Sequence, residues 1–159
     1  MKKANAVKLI ISIAACQAAG LFGSVFTAPA IPGWYAALVK PSFNPPGWIF
    51  GPVWTLLYAL MGVALYLVWK QGTDQKRIKA GIIIFIIHLF FNTSWSIVFF
   101  GLKSPGWAFA NVIVLWLMIG EVTRRFREID KTAAYLLIPY WAWVSFAAVL
   151  NFYLWRLNA

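Results

Sequence analysis

The sequence predicts an all-α integral membrane protein, a bundle of five transmembrane helices with a long loop between helices 1 and 2. Hydrophobic residues make up 62% of the chain and charged residues 11%, against about 45–50% and 25% in soluble domains. The apolar residues also fall into runs of roughly 20 residues, the length that crosses a bilayer as a helix. We therefore expect a single membrane domain over residues 1–159.

The first apolar run imitates a signal peptide. Lys2 and Lys3 precede it, and Ala28-Pro29-Ala30 has the small residues of a cleavage site. However, the uninterrupted part, residues 9–26, is as long as a bilayer requires and long for a signal core. We interpret this run as a retained transmembrane helix.

Residues 28–46 are the longest interruption of the apolar pattern, and we expect them to form a loop over one end of the bundle. Prolines in this segment remove backbone donors and favour extended geometry in the preceding residues, and Pro46-Gly47 marks the start of helix 2. Irregular backbone at a membrane implies surrounding protein or water. The predicted lid contains Trp34, Tyr35, Lys40, Pro41, Pro45 and Pro46.

Four further apolar runs follow the loop. The connections between them are short, around residues 71–78, 102–104 and 127–131, so sequential helices should be antiparallel neighbours. Together with the first run, the expected helices cover approximately residues 6–27, 47–69, 79–101, 105–126 and 132–155.

Basic residues are distributed unequally between the two ends of this bundle. Only Lys40, Lys103 and Arg156 lie on the side of the predicted lid, and the other eleven of the fourteen lie on the amino-terminal side. The positive-inside rule then predicts, for a bacterial cell membrane, a cytoplasmic amino terminus and an external carboxyl terminus. Because these residues follow helix ends rather than a soluble face, we predict no nucleic-acid partner.

All four acidic residues lie on the basic side, so the lid side has no acidic side chain. Glu121 precedes Arg124 and Arg125 by three and four residues, and helical ion pairs explain it better than a proton relay. The single cysteine, Cys16, excludes a multi-cysteine metal site. We predict no metal site and no required cofactor.

Aromatic and amide side chains concentrate in the halves of the spans nearest the lid. They recur at helical spacing on one face of each helix. Individual asparagine side chains in membranes commonly form hydrogen bonds between helices. The clustering of so many aromatic and amide side chains at one end favours an aromatic cavity beneath the loop. These faces comprise Trp48, Trp54 and Tyr58; Asn92, Trp95, Ser96 and Phe99; Trp107, Ala110, Asn111 and Val114; and Trp143, Ala147, Leu150 and Asn151.

A separate ridge of small residues lies on the first span. Ala15, Ala19 and Gly23 are spaced four apart, which places them on one helix face. Such ridges allow close helix approach in membranes. We expect this one to seat a neighbouring helix or a second protomer.

A series of motifs runs in order from about residue 20 to residue 158. Together they resemble the translocator protein, or tryptophan-rich sensory protein, family, formerly called the peripheral-type benzodiazepine receptor family. The motifs are Trp34-Tyr35, Lys40-Pro41-Ser42, Pro45-Pro46, Gly51-Pro52-Val53-Trp54, Leu57-Tyr58, Asn92 with Trp95, Phe99-Phe100-Gly101, Pro139-Tyr140 with Trp143, and Leu150-Asn151 through Trp155-Arg156.

The resemblance implies a five-helix bundle, a homodimer, and transport or stress sensing. It also implies a pocket under the first loop for porphyrins or haem, sterol-like molecules and synthetic isoquinoline or benzodiazepine ligands. Phe43-Asn44 stands where many relatives have Trp-His or another Trp, so ligand preference should differ there. The resemblance places at the ligand Trp54, Asn92, Trp95, Trp107, Ala110, Trp143, Ala147 and Leu150.

Two alternatives to plain ligand binding remain open. One, suggested by the resemblance, is light- or oxygen-assisted porphyrin degradation with Trp54 and Trp143 as reactive indoles. Ordinary hydrolysis is disfavoured, because the predicted cavity has no carboxylate, cysteine or histidine pair. The other alternative is a regulatory scaffold, supported only by the small-residue ridge and the basic loops.

The carboxyl-terminal helix also carries a proposed sterol-recognition pattern. It consists of Leu150, Tyr153 and Arg156. The same order of apolar, aromatic and basic residues occurs at any outward helix end, so the pattern is weak evidence. A stronger expectation for the basic residues of this end, Lys40, Lys103 and Arg156, is pairing with ligand propionates.

Overall fold

The computed structural model describes residues 3–159, so Lys2, which contributes to the orientation argument, lies outside the described residues. Five helical units are long and apolar enough to cross a membrane, which confirms the predicted number of spans. The elements are α1 (Lys3–Ala30), continued by the π-helical segment π1 (Ile31–Tyr35); a 3₁₀ turn (Gly47–Ile49) leading into α2 (Phe50–Trp69); α3 (Lys76–Ser96), continued by π2 (Ile97–Gly101); α4 (Pro105–Ile129); and α5 (Lys131–Leu157).

The helices form a closed ring in the order α1, α2, α5, α4, α3. In this ring α1 packs against α2 and α3, α4 packs between α3 and α5, and α5 closes against α2. The short connections make α3, α4 and α5 sequential neighbours, as expected. α2 departs from that expectation, because it packs more extensively against α1 and α5 than against α3.

The ring has two distinct ends. The loop end holds residues 38–46, the start of α2 and the end of α5, and the basic end holds the opposite helix termini. Between them the core is filled by aliphatic and aromatic side chains from all five helices. Phe85 of α3 stacks on Phe126 of α4 with ring centroids 5.6 Å apart, and both side chains are fully buried.

At the basic end, the last turns of α4 carry the predicted ion pairs. Arg124 Nε lies 2.8 Å from a Glu121 carboxylate oxygen, and Arg125 Nε lies 2.5 Å from the other. Arg124 also contacts Glu128 at 2.6 Å. The pairing of Glu121 with both arginines confirms its structural interpretation. Asp130 lies between α4 and α5. Its side chain caps the start of α5 by accepting a hydrogen bond from the Ala133 amide at 3.1 Å.

The structure corrects the predicted loop over residues 28–46. α1 and π1 carry the helical path to Tyr35, and the non-helical connection covers only residues 38–46. Pro29 lies inside α1 and Pro32 inside π1, so neither proline ends the helical path. The lid is therefore shorter than predicted, and two of its expected members belong to the end of the first helix.

The small-residue ridge of α1 seats a helix of the same chain. Gly23 is buried, and a Cβ atom at this position would lie 3.1 Å from Ser96 Oγ on α3. Thr93 of α3 reaches the Ala19 carbonyl oxygen with its hydroxyl at 3.5 Å. Ala15, by contrast, is exposed. The prediction allowed a neighbouring helix or a second protomer on this ridge. At Ala19 and Gly23 the neighbour is helix α3 of the same chain.

Candidate functional site

An amide of α3 links three helices in the middle of the bundle. Tyr58 Oη of α2 donates to Asn92 Oδ1 at 2.5 Å, and Asn92 Nδ2 donates to Tyr140 Oη of α5 at 2.9 Å. All three side chains are buried. Asn92 thus fixes the positions of two tyrosine rings on facing helices, and it forms the floor beneath the aromatic groups of the loop end.

A second amide, Asn151 of α5, makes the corresponding link nearer the loop end. Its Oδ1 accepts from Trp95 Nε1 at 2.9 Å, and its Nδ2 donates to the Pro105 carbonyl oxygen at 2.8 Å. The indole N–H of Trp95 and both the oxygen and the nitrogen of the Asn151 amide therefore have hydrogen-bond partners. They orient the Trp95 ring, which stacks on Phe99 with centroids 5.0 Å apart.

Trp34 and Tyr35 join this aromatic group from the end of the first helix. The Trp34 ring meets Phe99 edge-on at 5.5 Å, and the Tyr35 ring lies 5.7 Å from Phe100. Such contacts add about 0.5–1.5 kcal/mol per pair beyond area burial. This packing explains why the helical path continues to Tyr35 despite its prolines.

A second row of aromatic rings leads from the loop to α2. Phe43 packs against Phe146 at 6.3 Å, and Phe146 lies 5.6 Å from Trp143. The Trp143 ring then meets Phe50 of α2 edge-on at 6.0 Å. Phe50 and Phe146 also pack against the buried cluster that includes Leu150. Both rows of rings therefore belong to one assembly, which we call the loop-end aromatic site.

Trp54 lies one turn below Phe50 and connects this site to the floor. Its ring lies 5.5 Å from Tyr58 and 6.2 Å from Tyr140. The side chain is half-buried. Trp54 therefore contacts both tyrosines that Asn92 holds.

The non-helical segment 38–46 is tied to the bundle at several points. Asn158 at the end of α5 accepts from the Val39 amide and donates to the Val39 carbonyl oxygen, both at 2.9 Å. Tyr35 Oη donates to Asn44 Oδ1 at 3.0 Å. Phe43 also contacts Tyr153 edge-on at 5.3 Å. The segment thus lies closed over the loop end.

The ammonium group of Lys40 is held by contacts within the protein. Its Nζ donates to the carbonyl oxygens of Ala36 and Leu38, both at 3.0 Å, and lies 5.0 Å over the Tyr35 ring. These carbonyls belong to the end of the first helix, where partners are otherwise missing. Pairing of Lys40 with a ligand carboxylate would require these bonds to break.

The Asn158 contact yields a testable prediction about the segment. Asn158→Ala removes both bonds to Val39, each worth about 0.5–1.5 kcal/mol, so exchange of the Val39 amide should accelerate by about tenfold. Hydrogen–deuterium exchange of purified protein measures this. Asn111→Ala, which breaks one bond to Ser94 away from the segment, is the control. Equal protection of residues 38–46 in both variants would contradict the tether.

The structure does not bring every predicted ligand residue together. Trp54, Asn92, Trp95, Trp143 and Leu150 belong to or border the loop-end aromatic site, and Ala147 is half-buried on α5. Trp107 and Ala110 lie elsewhere. They are exposed on the outer face of α4, whose inward side is marked by buried Ala108 and Val112. Trp48, expected in the wall, is 75% exposed.

The proposed sterol pattern does not form a single surface. Leu150 is buried in the cluster beneath the loop, whereas Tyr153 is 44% exposed and Arg156 is exposed. Tyr153 contacts Phe43 of the lid. The three side chains therefore differ in exposure, and sterol recognition by this pattern stays a prediction.

Several residues of the site were missed at the sequence level. Phe50 and Phe146 lie one turn from Trp54 and Trp143, so helical spacing alone could have found them. The contacts of Phe43 and Asn158 join residues far apart in the chain. No local pattern identifies such contacts.

Comparison with known proteins agrees with this architecture. The TspO/MBR family model matches residues 12–156. The tryptophan-rich protein TspO of Chlorobaculum tepidum is 42% identical over 94% of this chain and 95% of its own length. That of Archaeoglobus fulgidus is 43% identical over 98% and 99%, and the translocator protein of Homo sapiens is 38% identical over 79% and 75%. These matches confirm the resemblance. The chain is a multi-pass membrane protein that belongs to the TspO/MBR family.

Proposed function

We propose that this protein binds tetrapyrroles, such as porphyrin or haem, and other flat hydrophobic molecules in the loop-end aromatic site, and serves in transport or stress sensing. The observation that carries the proposal is the connected set of rings under residues 38–46. Sterol-like, benzodiazepine and isoquinoline molecules share the flat or rigid apolar shape that such a site accepts.

The chemistry of the site supports this ligand class. Indole and phenyl faces stack on a flat macrocycle. The Asn92 and Asn151 amides are the polar groups that border the aromatic rings of the site. All four acidic side chains of the sequence are at the basic end. Neutral or anionic ligands are therefore favoured over cations. Arg156 at the rim is available for a propionate.

In the structure the rings of the site pack against one another beneath the closed segment, so binding requires the site to open. We propose that residues 38–46 open at the Asn158 and Phe43 contacts to admit the ligand. In a bacterial cell membrane, the positive-inside rule places this end outside and the amino terminus in the cytoplasm. The protein is also proposed to act as a homodimer.

Tryptophan fluorescence tests the proposed site. Trp143→Leu removes a ring from the wall, and we expect protoporphyrin to bind about 3- to 10-fold more weakly, the effect of losing one aromatic contact. Quenching titration of purified protein measures the affinity. Trp69→Leu, at the basic end beside Lys8, is the matched control. Unchanged affinity in both Trp95→Leu and Trp143→Leu would overturn the proposal.

A second candidate function is porphyrin degradation assisted by light or oxygen. The observation that favours it is the position of Trp54, whose ring contacts the paired tyrosines Tyr58 and Tyr140. Neighbouring indole and phenol rings can share an oxidising equivalent produced by an excited porphyrin. Trp54 and Trp143 would supply the reactive indoles.

Illumination distinguishes binding from degradation. Purified protein with protoporphyrin is illuminated with and without oxygen, and products are separated from free porphyrin treated in the same way. A new product that requires protein and disappears in Trp54→Phe and Trp143→Phe supports degradation. Bleaching equal to that of free porphyrin supports binding alone.

A further inference from the structure

A surface groove on the outer face of α4 lies outside the loop-end aromatic site. It has two adjoining parts, of about 540 Å³ and 410 Å³. Both parts are lined by Ser104, Trp107 and Ala110, and Trp107 is 77% exposed. We propose that this Trp107 groove binds an anionic phospholipid of the surrounding bilayer, with its phosphate at Lys103 and an acyl chain along π2 and α4.

The larger part has the character of a headgroup site. Lys103 and Trp155 line it together with the first residues of α4. No carboxylate partner contacts Lys103 among residues 3–159, and all acidic residues are at the opposite end. A lysine at the membrane surface attracts anionic lipid headgroups. The charge of this part is therefore complementary to a phosphate.

The start of α4 adds to that complementarity. Ser104 precedes the helix but its side chain makes no capping bond. The first-turn amides of a helix lack intrahelical partners. Unpaired amides at a helix start favour an anion, and the helix dipole has the same sign. Gly106 and Trp107 line the same part of the groove as Lys103, so their amides add to its positive potential.

The smaller part has the character of an acyl-chain site. Besides the three shared residues it is lined by Val98, Leu102, Asn111 and Val114, of which only Asn111 is polar, and Leu102 is 69% exposed. The groove extends from the start of α4 along π2 and α4, in the direction of the hydrocarbon core. Trp107, shared by both parts, has the position of an interfacial anchor. An amphiphile with an anionic head and an apolar tail matches both parts, whereas free phosphate matches only the first.

This groove lies on a different face of α4 from the proposed tetrapyrrole site, and Val98 packs against both. Ala108, the next residue along α4, is fully buried in the cluster with Phe99 and Leu150. The groove and the loop-end aromatic site thus lie on opposite faces of α4. Failure of either proposal leaves the other standing.

Native mass spectrometry of the purified full chain tests the lipid proposal. The protein is equilibrated in detergent with equal amounts of phosphatidylglycerol and phosphatidylcholine, and the retained lipid is counted. We expect preferential retention of one phosphatidylglycerol. Lys103→Gln should reduce that preference by about fivefold, the effect of one lysine at a membrane surface, and Lys103→Arg should keep it.

Two further variants separate charge from shape. Arg156→Gln removes an exposed basic residue of the same end that does not line the groove, and it should leave the preference unchanged. Ala110→Leu fills the shared part without altering charge, and it should reduce retention of both lipids. Equal retention of the two lipids by the wild-type chain would overturn the proposal. So would equal losses in Lys103→Gln and Arg156→Gln, or displacement of the lipid by excess inorganic phosphate alone.

Discussion

Gly62→Ala should destabilise the bundle by about 1–3 kcal/mol, the usual cost of overpacking. A Cβ atom on Gly62 of α2 would lie 2.5 Å from Ile13 Cα and 2.9 Å from Ile13 N on α1. These are backbone atoms, so no rotamer change can relieve the clash. The two helices would have to separate, and close approach is the main source of helix association in membranes.

A matched substitution in the same helix provides the control. Gly51, at the start of α2, has open space around the position of a Cβ atom. Gly51→Ala should therefore be neutral or stabilise by up to about 1 kcal/mol through helix propensity. Unfolding of both variants by a denaturing detergent, followed by circular dichroism, measures the difference. Equal stability of the two variants would show that α1 and α2 do not cross closely at Gly62.

Asn92→Leu should cost about 2–4 kcal/mol, because it leaves two buried phenol groups without partners. An unsatisfied buried donor or acceptor costs about 1–3 kcal/mol, although interhelical bonds in membranes average nearer 0.6 kcal/mol. Tyr58 and Tyr140 each lose the side-chain hydrogen bond that links them to α3. The same detergent unfolding assay gives the change in stability.

Removing the orphaned hydroxyls tests the explanation. The triple variant Tyr58→Phe, Asn92→Leu, Tyr140→Phe should recover part of the stability lost in Asn92→Leu, because the buried site becomes apolar throughout. Asn111→Leu, which breaks one bond at a half-buried position, should cost less than Asn92→Leu. A triple variant less stable than Asn92→Leu would contradict the role assigned to the hydrogen bonds.

The features predicted correctly from the sequence depend on local chain properties. Spans follow from apolar runs, and the Glu121 pairs follow from spacing along one helix. The predicted limits of the loop are wrong because the prolines after residue 28 do not end the first helix. The packing of Trp34 and Tyr35 against π2, which accompanies the longer helix, is not visible in the sequence.

Which face of α4 points into the bundle could be determined only from the structure. Periodicity grouped Trp107 with Ala110 correctly, but α4 has a second regular face, which includes Ala108, Val112 and Leu115. The ring order α1, α2, α5, α4, α3 turns that second face inward. Rotation of a helix depends on its neighbours, so sequence spacing alone could not choose between the two faces.

Anomalous diffraction from crystals grown with zinc protoporphyrin locates the metal of a bound tetrapyrrole directly. The central claim is that the loop-end aromatic site binds this ligand class. We expect the zinc peak among Trp54, Trp143 and Phe50, beneath residues 38–46, and a lower occupancy of that peak in the Trp143→Leu variant. A zinc peak in the Trp107 groove, with the loop-end aromatic site still filled by its own side chains, would contradict the claim.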